Sequence, residues 1–236
     1  MTLLHPQLHI LSGGAAQGLV TQLSERFKAE QQCDVTGTFG AVGMMKDSLL
    51  SGTPCDVLIL TDTLITQLTA SGQLIADSAK NIGVVKTGVA VKAGEKAVDV
   101  SNPAALKAAL QAARGIYFPD PIKATAGIHV MKVLRELGLE AELATRLRPY
   151  PNGAAAMKAM AETNESGLLG CTQVTEILFT DGVDLVALLP KEFELATTYT
   201  AAVCTQSNQL RHAVALINLM VSKELAALRL DCGFAA

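Results

Sequence analysis

A chain of 236 residues that is 50% hydrophobic and only 17% charged buries a sizeable core, which excludes a disordered protein. Its 19 Lys and Arg stand against 22 Asp and Glu, a net charge of −3 without a basic cluster, so no nucleic-acid partner is expected. Aromatic residues make up 4% with no Trp, leaving little to stack on bases or sugars, and the expected ligand is small and polar.

In chain order, short apolar runs alternate with helical faces. Residues 8–11 predict a strand, Ser12-Gly13-Gly14 a loop, and Leu19, Leu23 and Phe27 one face of a helix. A second strand over 34–38 leads through a glycine-bearing loop, 39–43, to a helix over 44–50 that stops at Gly52. The run 55–60 reads as a strand buried on both faces of a parallel sheet, with a helix over 62–71 after it. Two strands with interleaved glycine, 82–85 and 88–91, then suggest a crossing between two lobes. Pro103 opens a helix over 104–113, a strand spans 115–118, and a helix over 127–137 ends at Gly138. A helix over 153–162, strands over 167–173, 183–189 and 199–205, and a last helix over 211–230 complete the pattern. Repeated β and α elements predict an α/β protein with mostly parallel sheets. The expected lobes are 1–83 with 198–236, and 84–197, with crossings near 81–86 and 189–199.

Five cysteines, Cys33, Cys55, Cys171, Cys204 and Cys232, show neither a CxxC pair nor zinc spacing, and read as small hydrophobes of a reducing compartment. No metal and no cofactor is expected. The opening Met-Thr-Leu-Leu-His-Pro-Gln has neither the basic nor the apolar part of an export signal, and no apolar run reaches the roughly 18–20 residues of a membrane span. The expectation is a cytoplasmic protein, or a periplasmic one if a leader is removed.

Three loops place small residues directly before a helix: Ser12-Gly13-Gly14-Ala15-Ala16, Gly40-Ala41-Val42-Gly43 and Lys123-Ala124-Thr125-Ala126-Gly127. Each exposes backbone N–H groups at a positive helix end, where anions bind, although glycines also serve ordinary tight turns. Neither a P-loop nor a dinucleotide fingerprint is present, which disfavours ATP and NAD. Lys123 lies in the third loop as a partner for a carboxylate, or as a solvated lysine. Lys86 interrupts an apolar strand and must face solvent or a cleft. Gln173 ends a strand with amide donors, and Glu176 is either a helix cap or a base. His129 is expected in the first turn of the helix after Gly127, near enough to titrate with a bound acid. His5, His9 and His212 look incidental. No GxSxG, HExxH or Cys/His arrangement supports a hydrolase or metalloenzyme.

The ordered series Leu8-His9-Ile10-Leu11-Ser12-Gly13-Gly14-Ala15, Phe39-Gly40-Ala41-Val42-Gly43, Gly52-Thr53-Pro54-Cys55-Asp56-Val57-Leu58-Ile59 and Gly233-Phe234 resembles the molybdate-binding branch of bacterial solute-binding proteins. The resemblance implies the type 2 periplasmic binding fold, two α/β lobes closing over a ligand held in the interlobe cleft at facing helix N-termini. In molybdate binders the first two loops each supply a Ser hydroxyl and a later strand a Tyr, where this chain has Ala15, Val42 and Gln173. Three lost hydroxyls, each worth roughly 0.5–1.5 kcal/mol, argue against molybdate. The run from Gly170 through Gln173 to Ile177 resembles instead a divergent subgroup to which bacterial aconitate isomerase is also similar.

Two functions follow from that resemblance. One is isomerisation of an unsaturated di- or tricarboxylate by allylic proton transfer. Ser12, Gly14 to Ala16, Ala41 to Gly43, Lys86, Thr125, Ala126 and Gln173 would bind the ligand, and Lys123, His129 and Glu176 would act in the chemistry. The other is a non-catalytic solute-binding protein for an oxyanion or carboxylate, serving a regulator or, if exported, an ABC permease.

Overall fold

The computed structural model describes residues 6–235; the opening stretch with His5 lies outside the described residues, as does residue 236. The chain divides into two units, one reaching to Val84 and resuming at Thr197, the other formed by Val85–Ala196.

In the first unit β1 (Gln7–Gly13), α1 (Gln17–Gln31), β2 (Asp34–Gly40), α2 (Val42–Leu50), β3 (Val57–Thr61) and α3 (Asp62–Ala70) alternate. β1 is central and runs parallel to both β2 and β3, with Gly13 opposite Gly40 and Ser12 opposite Ile59. Helices cover both faces of such a sheet, which is why Val57, Leu58, Ile59 and Leu60 form an unbroken apolar run and are all fully buried. α1 lays Leu19, Leu23 and Phe27 on the sheet at helical spacing.

β4 (Lys80–Lys92) carries the chain across, as one strand of 13 residues where two were expected. Its polar middle stays extended because the Thr87 N–H donates to the Leu195 carbonyl and the Thr87 carbonyl accepts from the Leu189 N–H.

The second unit adds α4 (Pro103–Ala112), β5 (Gly115–Pro119), α5 (Thr125–Glu136), α6 (Glu140–Leu143), β6 (Leu147–Tyr150), α7 (Gly153–Glu162), β7 (Leu168–Gln173), α8 (Val174–Phe179) and β8 (Val183–Leu188). β5 lies parallel to β6 and β7, while β4 pairs antiparallel with β7 and β8. One face of this sheet packs Ile116 and Phe118 against Val130 and Leu134 of α5. The other packs Tyr117 and Leu168 against Met157 and Met160 of α7. Asn102 opens α4 by accepting from the Ala105 N–H at 3.0 Å, with Pro103 in the first turn.

β9 (Ala196–Val203) returns antiparallel to β3, Thr61 opposite Tyr199, and leads to α9 (Leu210–Met220) and α10 (Ala226–Asp231). The single helix expected over 211–230 is therefore broken. Ser222 leaves helical backbone, and its carbonyl and that of Met220 both accept from Arg229 Nη1 at 2.8 Å. No helix among the described residues is long and apolar enough to cross a membrane.

Candidate functional site

Parallel strands end together, so the helices that follow them start at one sheet edge. In the first unit β1, β2 and β3 end at Gly13, Gly40 and Thr61. Beyond them come a buried 3₁₀ turn of Gly14, Ala15 and Ala16 running into α1, then α2 with Ala41 at its N-cap and Val42 and Gly43 as its first residues, then α3. No side chain caps these starts, which leaves their leading N–H groups to water or a ligand. The third start carries its own anion in Asp62, so the positive ends at Gly14–Ala16 and at Ala41–Gly43 are those suited to a bound acid. Ser12 is fully buried and its Oγ donates to the Gly13 carbonyl at 2.8 Å.

Tyr199 also belongs to this edge, and sequence reasoning saw it only as a strand residue. A Cβ on Gly13 would lie 3.0 Å from Tyr199 Cε1 and 2.8 Å from Val42 Cγ1, so glycine there admits the tyrosine ring against the end of β1. This brings a phenol to the edge where β1 and β2 end.

In the second unit β5, β6 and β7 end at Pro119, Tyr150 and Gln173, and α5, α7 and α8 start beyond them. The Asp120 carboxylate folds the loop before α5 by accepting from the N–H groups of Ile122 at 2.7 Å and Lys123 at 2.8 Å. Lys123 is exposed, Ala124 forms the N-cap without a side-chain bond, and Thr125 and Ala126 begin the helix. Gln173 is buried and lies opposite Thr87 of β4. The Thr87 hydroxyl is buried with no hydrogen-bond partner among the described residues.

Residues 8–235 match the family described as bacterial extracellular solute-binding protein. The chain belongs to that family. Its fold is the type 2 periplasmic-binding-protein fold that the resemblance implied. The solute-binding neighbours include the periplasmic molybdate-binding protein of Azotobacter vinelandii, with a TM-score of 0.81 and 19% identity over 97% of this chain and 99% of that one. The sulfate-binding protein SubI of Mycobacterium tuberculosis H37Rv superposes with a TM-score of 0.72 and 15% identity, covering 98% and 86%. Among curated proteins, the aconitate isomerase of a Pseudomonas species is 26% identical over 234 residues, 96% of this chain and 86% of that protein.

Glu176, in the first turn of α8, caps a different helix. Its Oε1 accepts from the Gly153 N–H at the start of α7, at 3.1 Å, and its Oε2 from the Thr172 hydroxyl of β7, at 2.6 Å. Burial pushes its carboxyl above the ordinary range, against the pull of these bonds and of the Ala154 and Gln173 N–H groups. With both oxygens engaged, Glu176 is placed to hold the edge together. His129 is the fifth residue of α5, not within its first turn, because the helix starts at Thr125. Its Nε2 lies 2.7 Å from the Phe193 carbonyl oxygen; a carbonyl only accepts, so Nε2 is the donor in this contact. Lys86 is ion-paired with Glu194 at 2.6 Å, which neutralises its charge locally. His9 and His212 stand away from these helix starts, His9 early in β1 and His212 in α9 beside Gln209 Oε1 at 3.1 Å.

Proposed function

We propose that this solute-binding chain takes a small di- or tricarboxylate at the uncapped helix starts and isomerises it by allylic proton transfer. The observation that carries the reading is the donor set of the second unit. Lys123 and the α5 start come from the same sheet edge as Gln173 and the buried Thr87 hydroxyl, which has no partner among the described residues, a set suited to a planar carboxylate. Similarity to an aconitate isomerase along nearly the whole chain supports it. In the reaction a base removes a proton from the CH₂ beside the double bond, the charge spreads onto carboxylate oxygens as a dienolate, and the proton returns at the allylic carbon. Backbone N–H groups and Lys123 stabilise the developing oxyanion, and His129 takes and returns the proton. Glu176 positions the α7 start and takes no proton from the substrate.

The molybdate- and sulfate-binding neighbours favour a second reading: a carboxylate-binding protein without chemistry, exported and serving an ABC permease. The isomerase reading goes instead with a cytoplasmic protein.

Calorimetry of the purified chain with cis-aconitate, trans-aconitate and molybdate tests the ligand class. Tighter binding of either carboxylate than of molybdate is expected; tight molybdate binding with no heat from either acid contradicts it. Lys123→Met keeps the apolar stem and removes the charge. A charged hydrogen bond is worth roughly 1.5–3 kcal/mol, so carboxylate affinity in this variant is expected to fall about 10- to 150-fold by titration. An unchanged affinity would leave the backbone N–H groups as the anion site.

A further inference from the structure

The first unit holds a second feature at the opposite edge of its sheet, where β1 begins. A cavity of about 600 Å³ opens there, walled by Gln7 and His9 of β1, by Cys55 and Asp56 leading into β3, and by Gln73, Cys204, Gln206 and Gln209. It is far in register from Ser12 and Gly13, and nothing in the carboxylate reading uses it. Two of the five cysteines meet on its wall. The Cys204 N–H donates to the Asp56 carbonyl at 3.0 Å, one step beyond the β3–β9 ladder in which Val57 faces Val203. That bond fixes the two backbones side by side. The Asp56 carboxylate locks the same corner, accepting from the His9 N–H at 2.8 Å and from Ser207 Oγ at 2.6 Å. Cys55, one residue before Asp56, and Cys204 thus line the same cavity on chain segments held rigidly together, and the Cys55 thiol donates to the Val57 carbonyl at 3.2 Å.

We propose that Cys55 and Cys204 are a redox pair that closes to a disulfide by exchange with a low-molecular-weight disulfide admitted to this cavity. Cys55 is half-buried and meets the reagent; Cys204 is buried behind it. The Cys55 thiolate attacks one sulfur of the reagent, forms a mixed disulfide and releases one thiolate. The Cys204 sulfur, deprotonated, then attacks Cys55 sulfur, forms the Cys55–Cys204 bond and releases the second. Two protein thiols are oxidised, one reagent disulfide is reduced to two thiols, and the two protons pass to the released thiolates. Cys55 is the more exposed of the two thiols, and interaction with Cys55 together with burial holds the Cys204 thiol above the ordinary range, which makes Cys55 the first attacker. Cys33, Cys171 and Cys232 are buried elsewhere and stay reduced.

The test incubates the folded, fully reduced chain with glutathione disulfide, alkylates the remaining thiols after unfolding, and maps the peptides by mass spectrometry. The expected wild-type result is loss of two of five thiols and a peptide joining Cys55 to Cys204. Cys204→Ser is expected to retain one glutathione on Cys55, and Cys55→Ser to acquire no adduct. Five alkylated cysteines, a bond through Cys33, Cys171 or Cys232, or a stable glutathione adduct on wild-type Cys55 would each overturn the proposal. So would Cys204→Ser with no adduct.

Discussion

Gly127→Ala is expected to destabilise the second unit by about 3 kcal/mol or more, measured by urea or thermal unfolding of the whole chain. Gly127 is the third residue of α5, and a Cβ there would fall well inside contact distance of the Pro119 and Asp120 carbonyl oxygens. Both obstacles are backbone. Neither swings aside as a side chain would, and Asp120 is held further by the turn bonds of its carboxylate to Ile122 and Lys123. Relief requires α5 to withdraw from the loop, which also moves the helix start and Lys123. Carboxylate binding should therefore fall in any Gly127→Ala protein that remains folded, and a variant with wild-type stability and affinity would contradict this account of the edge.

Glu176→Ala is expected to cost about 3–4 kcal/mol, because it leaves the Thr172 hydroxyl and the Gly153 N–H buried without their acceptor, at roughly 1–3 kcal/mol each. Glu176→Gln gives a pH signature that simple truncation does not. Burial raises the folded-state pKa of Glu176 above its ordinary 4.5, so the folded chain holds this proton more tightly than the unfolded chain. That contribution to stability is fully present below about pH 4.5 and is lost as pH rises through the raised folded-state value. The stability gap between wild type and Glu176→Gln should thus be widest in acid and narrow towards neutral pH. Thermal melts from acid to neutral pH check this, and a gap that widens with pH would reverse the assigned cause.

These two residues show what the chain order reveals and what it hides. The alternation of apolar strands and helices is legible because parallel strands covered on both faces need continuous runs such as Val57 to Leu60, and because glycine and small residues punctuate strand ends. The strand-end loops Gly14 to Ala16, Ala41 to Gly43 and Lys123 to Ala126 are visible for the same reason. Gly127 is visible too, but its reason is not: a turn glycine and one that admits a carbonyl from seven or eight residues upstream look alike in a string of letters. Glu176 is legible as a cap or a base, yet its partner Gly153 is 23 residues away and becomes adjacent only once β6 and β7 flank β5. Tyr199 reaches Gly13 only through the antiparallel pairing of β9 with β3, and His129 reaches Phe193 only through the packed unit. The last helix is overextended in sequence because apolar spacing continues through Leu216, Ile217, Met220 and Leu225, with no glycine or proline to mark the break at Ser222.

The most direct test of the function incubates the purified chain with cis-aconitate in deuterated water and follows the acid by proton NMR and mass spectrometry. Allylic proton transfer through a side chain that exchanges with solvent predicts trans-aconitate carrying deuterium at the reprotonated carbon, in amounts that grow with enzyme and time. It also predicts a loss of that conversion in Lys123→Met larger than the loss of affinity, since misplacing the oxyanion costs more in the transition state than in the ground state. Tight binding of aconitate with neither isomer formed nor deuterium incorporated would contradict the isomerase account and leave a binding protein.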